Sequence, residues 1–384
     1  MCIRDRVGIV VPYSWSFWGA VVEHAELQAE ALERLGCDVR IVMGNDPPGS
    51  FTRVLHPRLG RHGQPPERVI PVGRSVIVPA NGSLPNIILS PRSIWRMRQT
   101  LERERFDVIH LHEPLTPTPC VAALSLARCP AVATFHASGR LAWTKLAVPA
   151  WGFLLDRLEH RLAVSEQARD TAAAYSPAAY EIVPNGVLVP PHADAGGRDH
   201  RVTFAGRQEQ RKGLHVLLRA WPEIHRATGA RLHVVGADPL AVSLLQSRLG
   251  ANRSGIVVRG FLSQDELTEE LLGTKALVAP SLGGESFGMV LTRAFACAAP
   301  AIASDIPGYR EVMTPETGVY VRPGDPEALA QAVIGLLEDE ERRRTLGAAA
   351  RELAASEYGW DRIAERLLGI YELVTGTTRV RAVA

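Results

Sequence analysis

The sequence predicts an α/β protein made of two similar α/β/α domains with a cleft between them. Three observations carry that prediction. Short, nearly continuous apolar runs alternate with longer amphipathic stretches, the pattern of parallel strands covered by helices on both faces. The alternation breaks once, at Val189–Asp199 (VPPHADAGGRD), and then restarts. The chain is 384 residues long, room for two cores at roughly 100–200 residues per domain.

Val7–Pro12 (VGIVVP) reads as the first strand. Glu23–Leu35 follows as a helix, with Leu27, Ala31 and Leu35 at helical spacing and Gly36 as its stop. Asp38–Met43 is the next strand, whereas the Pro- and Gly-rich stretch Asn45–Pro71 is loop-heavy and supports only weak strands. Asp107–Leu111 (DVIHL), Ala131–Phe135 (AVATF), Arg161–Val164 and Glu181–Val183 continue the pattern, placing a first domain at 7–188. Beyond the linker, strands are expected at Arg201–Ala205, Arg231–Val235, Ile256–Arg259, Ala276–Ala279 and Ala301–Ser304. Helices are expected at Leu214–Arg226, Leu240–Arg248, Asp265–Leu272 and Glu285–Cys297, which places a second domain at 200–358. The segment 359–375 is a helix by the spacing of Ile363, Leu367, Ile370, Tyr371 and Val374.

Composition narrows the function. With 46% hydrophobic and 22% charged residues, the chain is neither disordered nor a coiled coil. Its net charge of +2 gives no bulk reason to expect nucleic acid as a partner. The longest apolar run, Leu146–Leu155, is about half the roughly 20 residues of a bilayer crossing. Cys2, Cys37, Cys120, Cys129 and Cys297 are widely spaced without C-x-x-C, and read as small buried hydrophobes of a reducing compartment. No secretory leader is visible. The polar run Met1–Arg6 reads as foreign to the strand that follows, and receives no structural role.

Ligands of open α/β sheets bind at the carboxyl ends of the strands. Neither G-x-G-x-x-G after the first strand nor G-x-x-x-x-G-K-[ST] occurs, so dinucleotide and P-loop readings are weakened. Four strand-end turns remain. Tyr13–Ala20 (YSWSFWGA) offers backbone N–H groups and a helix N-terminus to an anion, or is a plain connection. Thr134–Ser138 (TFHAS) places His136 past a strand, as a proton donor and acceptor or as a satisfied structural group. Ala205–Gly213 (AGRQEQRKG) sets Arg207 and Lys212 at a strand end, two fixed cations suited to a diphosphate or to a solvated turn. Pro280–Val290 (PSLGGESFGMV) joins Gly283, Gly284 and Gly288 with Glu285 at an expected helix start. Its glycines permit close backbone approach, and its acid can accept sugar hydroxyls.

Pro12–Ser16 with Gly19, His110–Pro114 (HLHEP), Thr134–Ser138, Val183–Val187 (VPNGV), Gly206–Gly213 and Gly283–Val290 occur in the order found in family 4 of the retaining GT-B glycosyltransferases. From about Val7 to Thr375 the chain resembles that family. The resemblance implies the GT-B fold, two Rossmann-like α/β/α domains with an interdomain cleft, whose last helix crosses back to the first domain. The segments PYSWSF, PANGS (Pro79–Ser83), HLHEP, ATFHAS and LGGESFG are most similar to the branch that transfers mannose from GDP-mannose to a phosphatidylinositol-type lipid.

By that resemblance, Arg207 and Lys212 hold the donor diphosphate and stabilise the departing nucleotide. Glu285 binds the sugar hydroxyls beside Gly283, Gly284, Ser286, Phe287 and Gly288. His136 serves the oxocarbenium-like transition state, and the loop at Gly19 touches donor and acceptor from the first domain. Tyr13, Asn81 and Ser83 fall on the acceptor side. The resemblance also implies work without metal or cofactor, at the cytoplasmic face of the plasma membrane as a peripheral enzyme. A basic amphipathic stretch, Pro91–Phe106, offers Arg92, Arg96 and Arg98 to an anionic membrane; alternatively it is an ordinary helix with Ile94, Met97 and Leu101 buried.

Two positions depart from the family pattern. A second Glu, eight residues after the first, normally contacts the donor ribose; here it is Arg293, which cannot accept hydroxyl hydrogens. Paired glycines in the first loop are Gly19–Ala20 here. A different, UDP-linked donor, another acceptor, or a weakly active homologue that binds nucleotide sugars are the alternatives these departures leave.

Overall fold

The computed structural model describes residues 5–17, 19–49, 52, 64–78, 86–138, 144–193, 197–250 and 254–376. The acceptor-side candidates Asn81 and Ser83 lie outside the described residues. The chain divides into two units, Met1–Gly186 with Trp360–Ala384, and Val187–Gly359.

In the first unit the strands are β1 (Arg6–Ser14), β2 (Asp38–Gly44), β3 (Val69–Gly73), β4 (Ser75–Ile77), β5 (Asn86–Ile88), β6 (Val108–His112), β7 (Ala131–Phe135), β8 (His160–Ala163) and β9 (Glu181–Ile182). Seven of them form a parallel sheet in the order β3-β2-β1-β6-β7-β8-β9, and β5 joins antiparallel at Tyr13↔Ile87. Parallel strands are covered on both faces, which is why β1, β6 and β7 are buried almost throughout. One face packs Val7, Ile9 and Val11 with the helix Ala20–Arg34 and the final helix Trp360–Thr375. The other packs Val10, Ile109 and Leu111 with Met97, Leu124 and Leu155.

The second unit holds β10 (Arg201–Ala205), β11 (Arg231–Val235), β12 (Ile256–Gly260), β13 (Ala276–Ala279), β14 (Ala301–Ser304) and β15 (Gly318–Val321). They form a parallel sheet in the order β12-β11-β10-β13-β14-β15. Trp221, fully buried on the helix Leu214–Thr228, anchors its core with Leu217, Leu232 and Val333. Local chemistry sets the helix starts. Ser263 and Glu266 form a capping box, and Asp238 and Asp325 accept N–H groups of the first turns they precede.

Three expectations change. The chain passes between units at Gly186–Val187 and Gly359–Trp360, not across Val189–Asp199. That proline-rich stretch is held to the second unit, since Arg351 Nη2 donates to the Pro190 carbonyl at 2.6 Å. Arg6 has a structural role after all. Its guanidinium pairs with Asp38 at 2.8 Å, and its backbone N–H donates to the Asp107 carboxylate at 2.7 Å, joining the ends of β1, β2 and β6. Strand β3 begins in the stretch that supported only weak strands, and β15 adds an edge that the sequence reading did not place. Among the described residues, no helix is long and apolar enough to cross a membrane.

Candidate functional site

Each sheet reverses its winding once. The chain goes from β10 outward through β11 to β12, then returns to the other side of β10 as β13. Loops leaving two strands at such a reversal diverge, and room for a ligand opens at the carboxyl ends. Here those loops are 206–213 and 280–288, two of the four turns the sequence singled out.

Gly213 joins them. Its φ is +71°, and a Cβ would lie 1.8 Å from the Pro280 carbonyl oxygen, so only glycine lets the two backbones meet. The Leu282 N–H donates to the Arg211 carbonyl at 2.7 Å, completing the seam. Across it the cations reach Glu285. Arg211 Nη1 donates to Glu285 Oε1 at 2.9 Å, and Lys212 Nζ straddles the carboxylate at 2.8 Å from Oε1 and 2.9 Å from Oε2. The Ser281 hydroxyl donates to Oε1 at 3.2 Å and lies 2.8 Å from the Tyr309 hydroxyl. Burial, and then the Glu285 charge, push the Tyr309 phenol up, so it stays protonated.

Glu285 is only 8% exposed. Arg207 stands outside this clamp, with its side chain 52% exposed and 3.1 Å from Glu209, whose second oxygen holds Arg211 at 2.8 Å. Arg211, which the sequence reading passed over in favour of Arg207, is therefore the guanidinium in contact with Glu285.

Glu285 does not open a helix. The helix is Met289–Ala296, and its N-cap Gly288 has φ +80°. Gly284, at φ +70°, and Gly288 stop the helix from extending backward, which leaves the carboxylate free to turn onto the cations. Among the described residues other than its chain neighbours, none approaches within 4 Å of the position a Gly283 Cβ would take. Ser286 is half-buried, and Phe287 is buried edge-on against Tyr358 at 5.6 Å. Arg293 lies half-buried in the last turn of that helix.

In the first unit the reversal falls between β1 and β6. Tyr13 is half-buried at the end of β1. Gly19 is the extended N-cap of the helix Ala20–Arg34, with φ −166°, and among the described residues beyond its chain neighbours a Cβ there would touch only Val22 at 4.0 Å. Ala20 is helical, so losing a glycine at that position adds no strain.

His136 is not alone. Its backbone N–H and that of Ala137 both donate to Glu113 Oε1 at 2.7 Å, so the buried Glu113 fixes the loop. Its Nε2 lies 2.8 Å from His112 Nδ1, and the His24 ring meets both imidazoles edge-on at 5.3 and 5.1 Å. His110 bonds Thr134 through Nε2 at 2.7 Å and Tyr371 through Nδ1 at 2.5 Å. Burial pushes His24 and His110 down to about 3, and holds His112 and His136 well below the usual histidine value. All four are neutral imidazoles at physiological pH. Burial raises the Glu113 carboxyl, against the pull of the two amides.

The sequence reading found no metal-ligand cluster, yet His24, His112 and His136 bring ring nitrogens within 4.8 Å of one another. The signal was half present in HLHEP, because residues two apart on a strand share a face.

The helix Arg92–Glu104 buries Ser93, Met97 and Thr100. Ile94, which only the ordinary-helix alternative placed in a buried stripe, is 45% exposed, and Trp95 is 61% exposed. Arg92, Arg96 and Arg98 are exposed beside them. Two large apolar groups thus sit in water among three arginines.

Two family models match the chain. "Glycosyltransferase Family 4" matches residues 21–189, and "Glycosyl transferases group 1" matches residues 199–339. A phosphatidyl-myo-inositol mannosyltransferase of Mycobacterium leprae is 33% identical over 96% of this chain and 97% of its own length. That of Mycolicibacterium smegmatis is 32% identical over 97% of this chain and 94% of its own. Among solved structures, sucrose-phosphate synthase of Thermosynechococcus elongatus superposes with a TM-score of 0.74 at 19% identity, covering 98% of this chain and all of that one. Anabaena HepE, solved in complex with UDP, gives 0.69 at 17% identity over 96% of this chain and all of its own.

Proposed function

The chain belongs to the family 4, group 1 glycosyltransferases of GT-B fold, and from that premise we propose that it transfers mannose from GDP-mannose to a phosphatidylinositol-type lipid at a membrane surface. The observation that carries the donor half is the clamp of Arg211 and Lys212 on Glu285, at the strand reversal of the second sheet.

The residues divide the work. Lys212 and Arg211, with Arg207 at the edge, hold the donor diphosphate and stabilise the charge that builds on it as the glycosidic bond breaks. Glu285 accepts hydroxyl hydrogens of the sugar, and the open backbone at Gly283 and Gly284 lets the donor come close. In the first unit the neutral His136, fixed by Glu113, is the group for the oxocarbenium-like transition state. The acceptor hydroxyl oxygen attacks the anomeric carbon on the face the nucleoside diphosphate leaves, and its proton passes to the departing phosphate oxygen. This route retains configuration and needs no pair of facing carboxylates. Tyr13, Asn81 and Ser83 belong to the acceptor side. The helix Arg92–Glu104 rests its arginines on anionic headgroups, with Ile94 and Trp95 at the interface.

Arg293 favours a second reading, a homologue that binds nucleotide sugars with another base or turns over slowly. Titration calorimetry with GDP-mannose, UDP-glucose and UDP-N-acetylglucosamine, beside transfer of radiolabelled mannose into phosphatidylinositol vesicles, separates the readings. GDP-mannose is expected to bind tightest and to label lipid. Tighter binding of a uridine donor overturns the mannose assignment.

A further inference from the structure

We propose that His24, His112 and His136 form a binding site for one first-row transition-metal dication of the zinc class. The three side chains come from separate elements, the helix Ala20–Arg34, the end of β6 and the turn after β7, and they converge. Each offers one ring nitrogen within 4.8 Å of the others. Zinc bound at about 2.0–2.1 Å to imidazoles sets ligand nitrogens about 3.3–3.4 Å apart in a tetrahedron. The contact of 2.8 Å between His112 Nδ1 and His136 Nε2 therefore opens by about half an ångström on binding, a side-chain adjustment.

The hydrogen-bond inventory supports a missing partner. His24 Nδ1 is buried with no hydrogen-bond partner among the described residues. The three candidate ligands are all imidazoles. Such a set selects zinc, cobalt, nickel or copper over magnesium and calcium. Three protein ligands leave a fourth position for water, and His136 is half-exposed, which gives the ion a way in.

The test is direct metal binding, with no need for a turnover assay. The full-length chain, stripped with chelator, is titrated with zinc alone by calorimetry and analysed for bound metal after gel filtration. Cobalt provides a second readout, since a tetrahedral nitrogen-rich site absorbs strongly in the visible. One ion per chain is expected. His24→Gln and His112→Gln should each weaken binding at least about 100-fold and bleach the cobalt band. His192→Gln, at an exposed position, should leave both unchanged. Circular dichroism identifies any variant that fails to fold, in which case the other buried variant decides. Absence of a retained ion overturns the proposal. So does binding that survives both folded buried variants, which would assign the ion to surface histidines. Since His136 is also the residue assigned to the sugar, zinc should inhibit mannose transfer; that consequence alone rests on the functional reading above, and its failure leaves the metal measurement standing.

Discussion

Glu285→Gln separates the catalytic from the structural share of the clamp. The substitution keeps the shape but removes the charge that Arg211 and Lys212 share, at 2.8–2.9 Å. Removing one partner of a fully buried pair costs about 3–5 kcal/mol. Here the cations retain 30% and 17% side-chain exposure, and Arg211 keeps Glu209 at 2.8 Å, so solvent and the second acid screen the loss. About 2 kcal/mol remains, which lowers Tm of the second unit by about 4–8 °C. Turnover should fall much further, by roughly 10²–10³-fold, because a preorganised contact to the reacting sugar is gone. Affinity for GDP should hold or rise, since the variant frees two cations for the diphosphate. Calorimetry with GDP and labelled-mannose transfer at 15 °C, well below the melt, read the two effects apart. Turnover within threefold of the wild type removes Glu285 from the chemistry. An equal loss of GDP binding and turnover reduces its role to holding the loop.

Gly213→Ala should cost about 3 kcal/mol or more and abolish donor binding, because the new methyl meets the Pro280 carbonyl at 1.8 Å and φ is +71°; thermal melts with calorimetry check both. Acid should weaken the first unit selectively. His24 and His110 stay neutral when folded, with values of about 3, but bind protons once unfolded below about 6.5. Their contribution is therefore complete above that value and is lost as pH falls toward 3, at about 1.4 kcal/mol per pH unit for each histidine. Melts between pH 7 and 5 should lower that unit's Tm by several degrees, and a flat profile refutes the neutral assignment. Replacing Arg92, Arg96 and Arg98 together by Ala should weaken binding to anionic vesicles and flatten its salt dependence; unchanged cosedimentation removes the helix from the account. Arg293→Glu should strengthen binding of a ribonucleoside diphosphate if this position faces the ribose, which calorimetry with GDP decides.

The fold was legible where burial is two-sided. Strands β1, β7 and β13 need apolar residues on both faces and so appear as nearly continuous apolar runs. Edge strands lack that requirement. Pro71 interrupts β3, and β15 leaves two of its four residues half-buried, so neither stood out. The cation turn and the glycine loop were legible as motifs, but their internal geometry was not. Glu285 before an apolar run looks like a helix start, and only the positive φ of Gly284 and Gly288 shows why the helix waits until Met289. The choice between Arg207 and Arg211 depends on a single turn of 3₁₀ helix at Gln210–Lys212 that no periodicity announces. His24 came from a helix face that reads as ordinary core, and its meeting with His112 and His136 is a product of topology.

In both units the groups assigned to chemistry are satisfied by one another before any ligand arrives. Lys212 and Arg211 rest on Glu285, Arg207 rests on Glu209, and His136 shares a hydrogen bond with His112. A ligand must therefore replace an internal partner, so binding measures the difference between two sets of contacts. A single monovalent anion offers Lys212 one charge in exchange for the one it already holds, with nothing gained. A diphosphate carries several charges and can recruit Arg207, Arg211 and Lys212 together, while the released Glu285 carboxylate finds new donors in sugar hydroxyls. The exchange is favourable only when both parts arrive on one molecule. On the proposed function, selectivity for a nucleoside diphosphate joined to a sugar, over free phosphate or free sugar, follows from the resting state of the clamp.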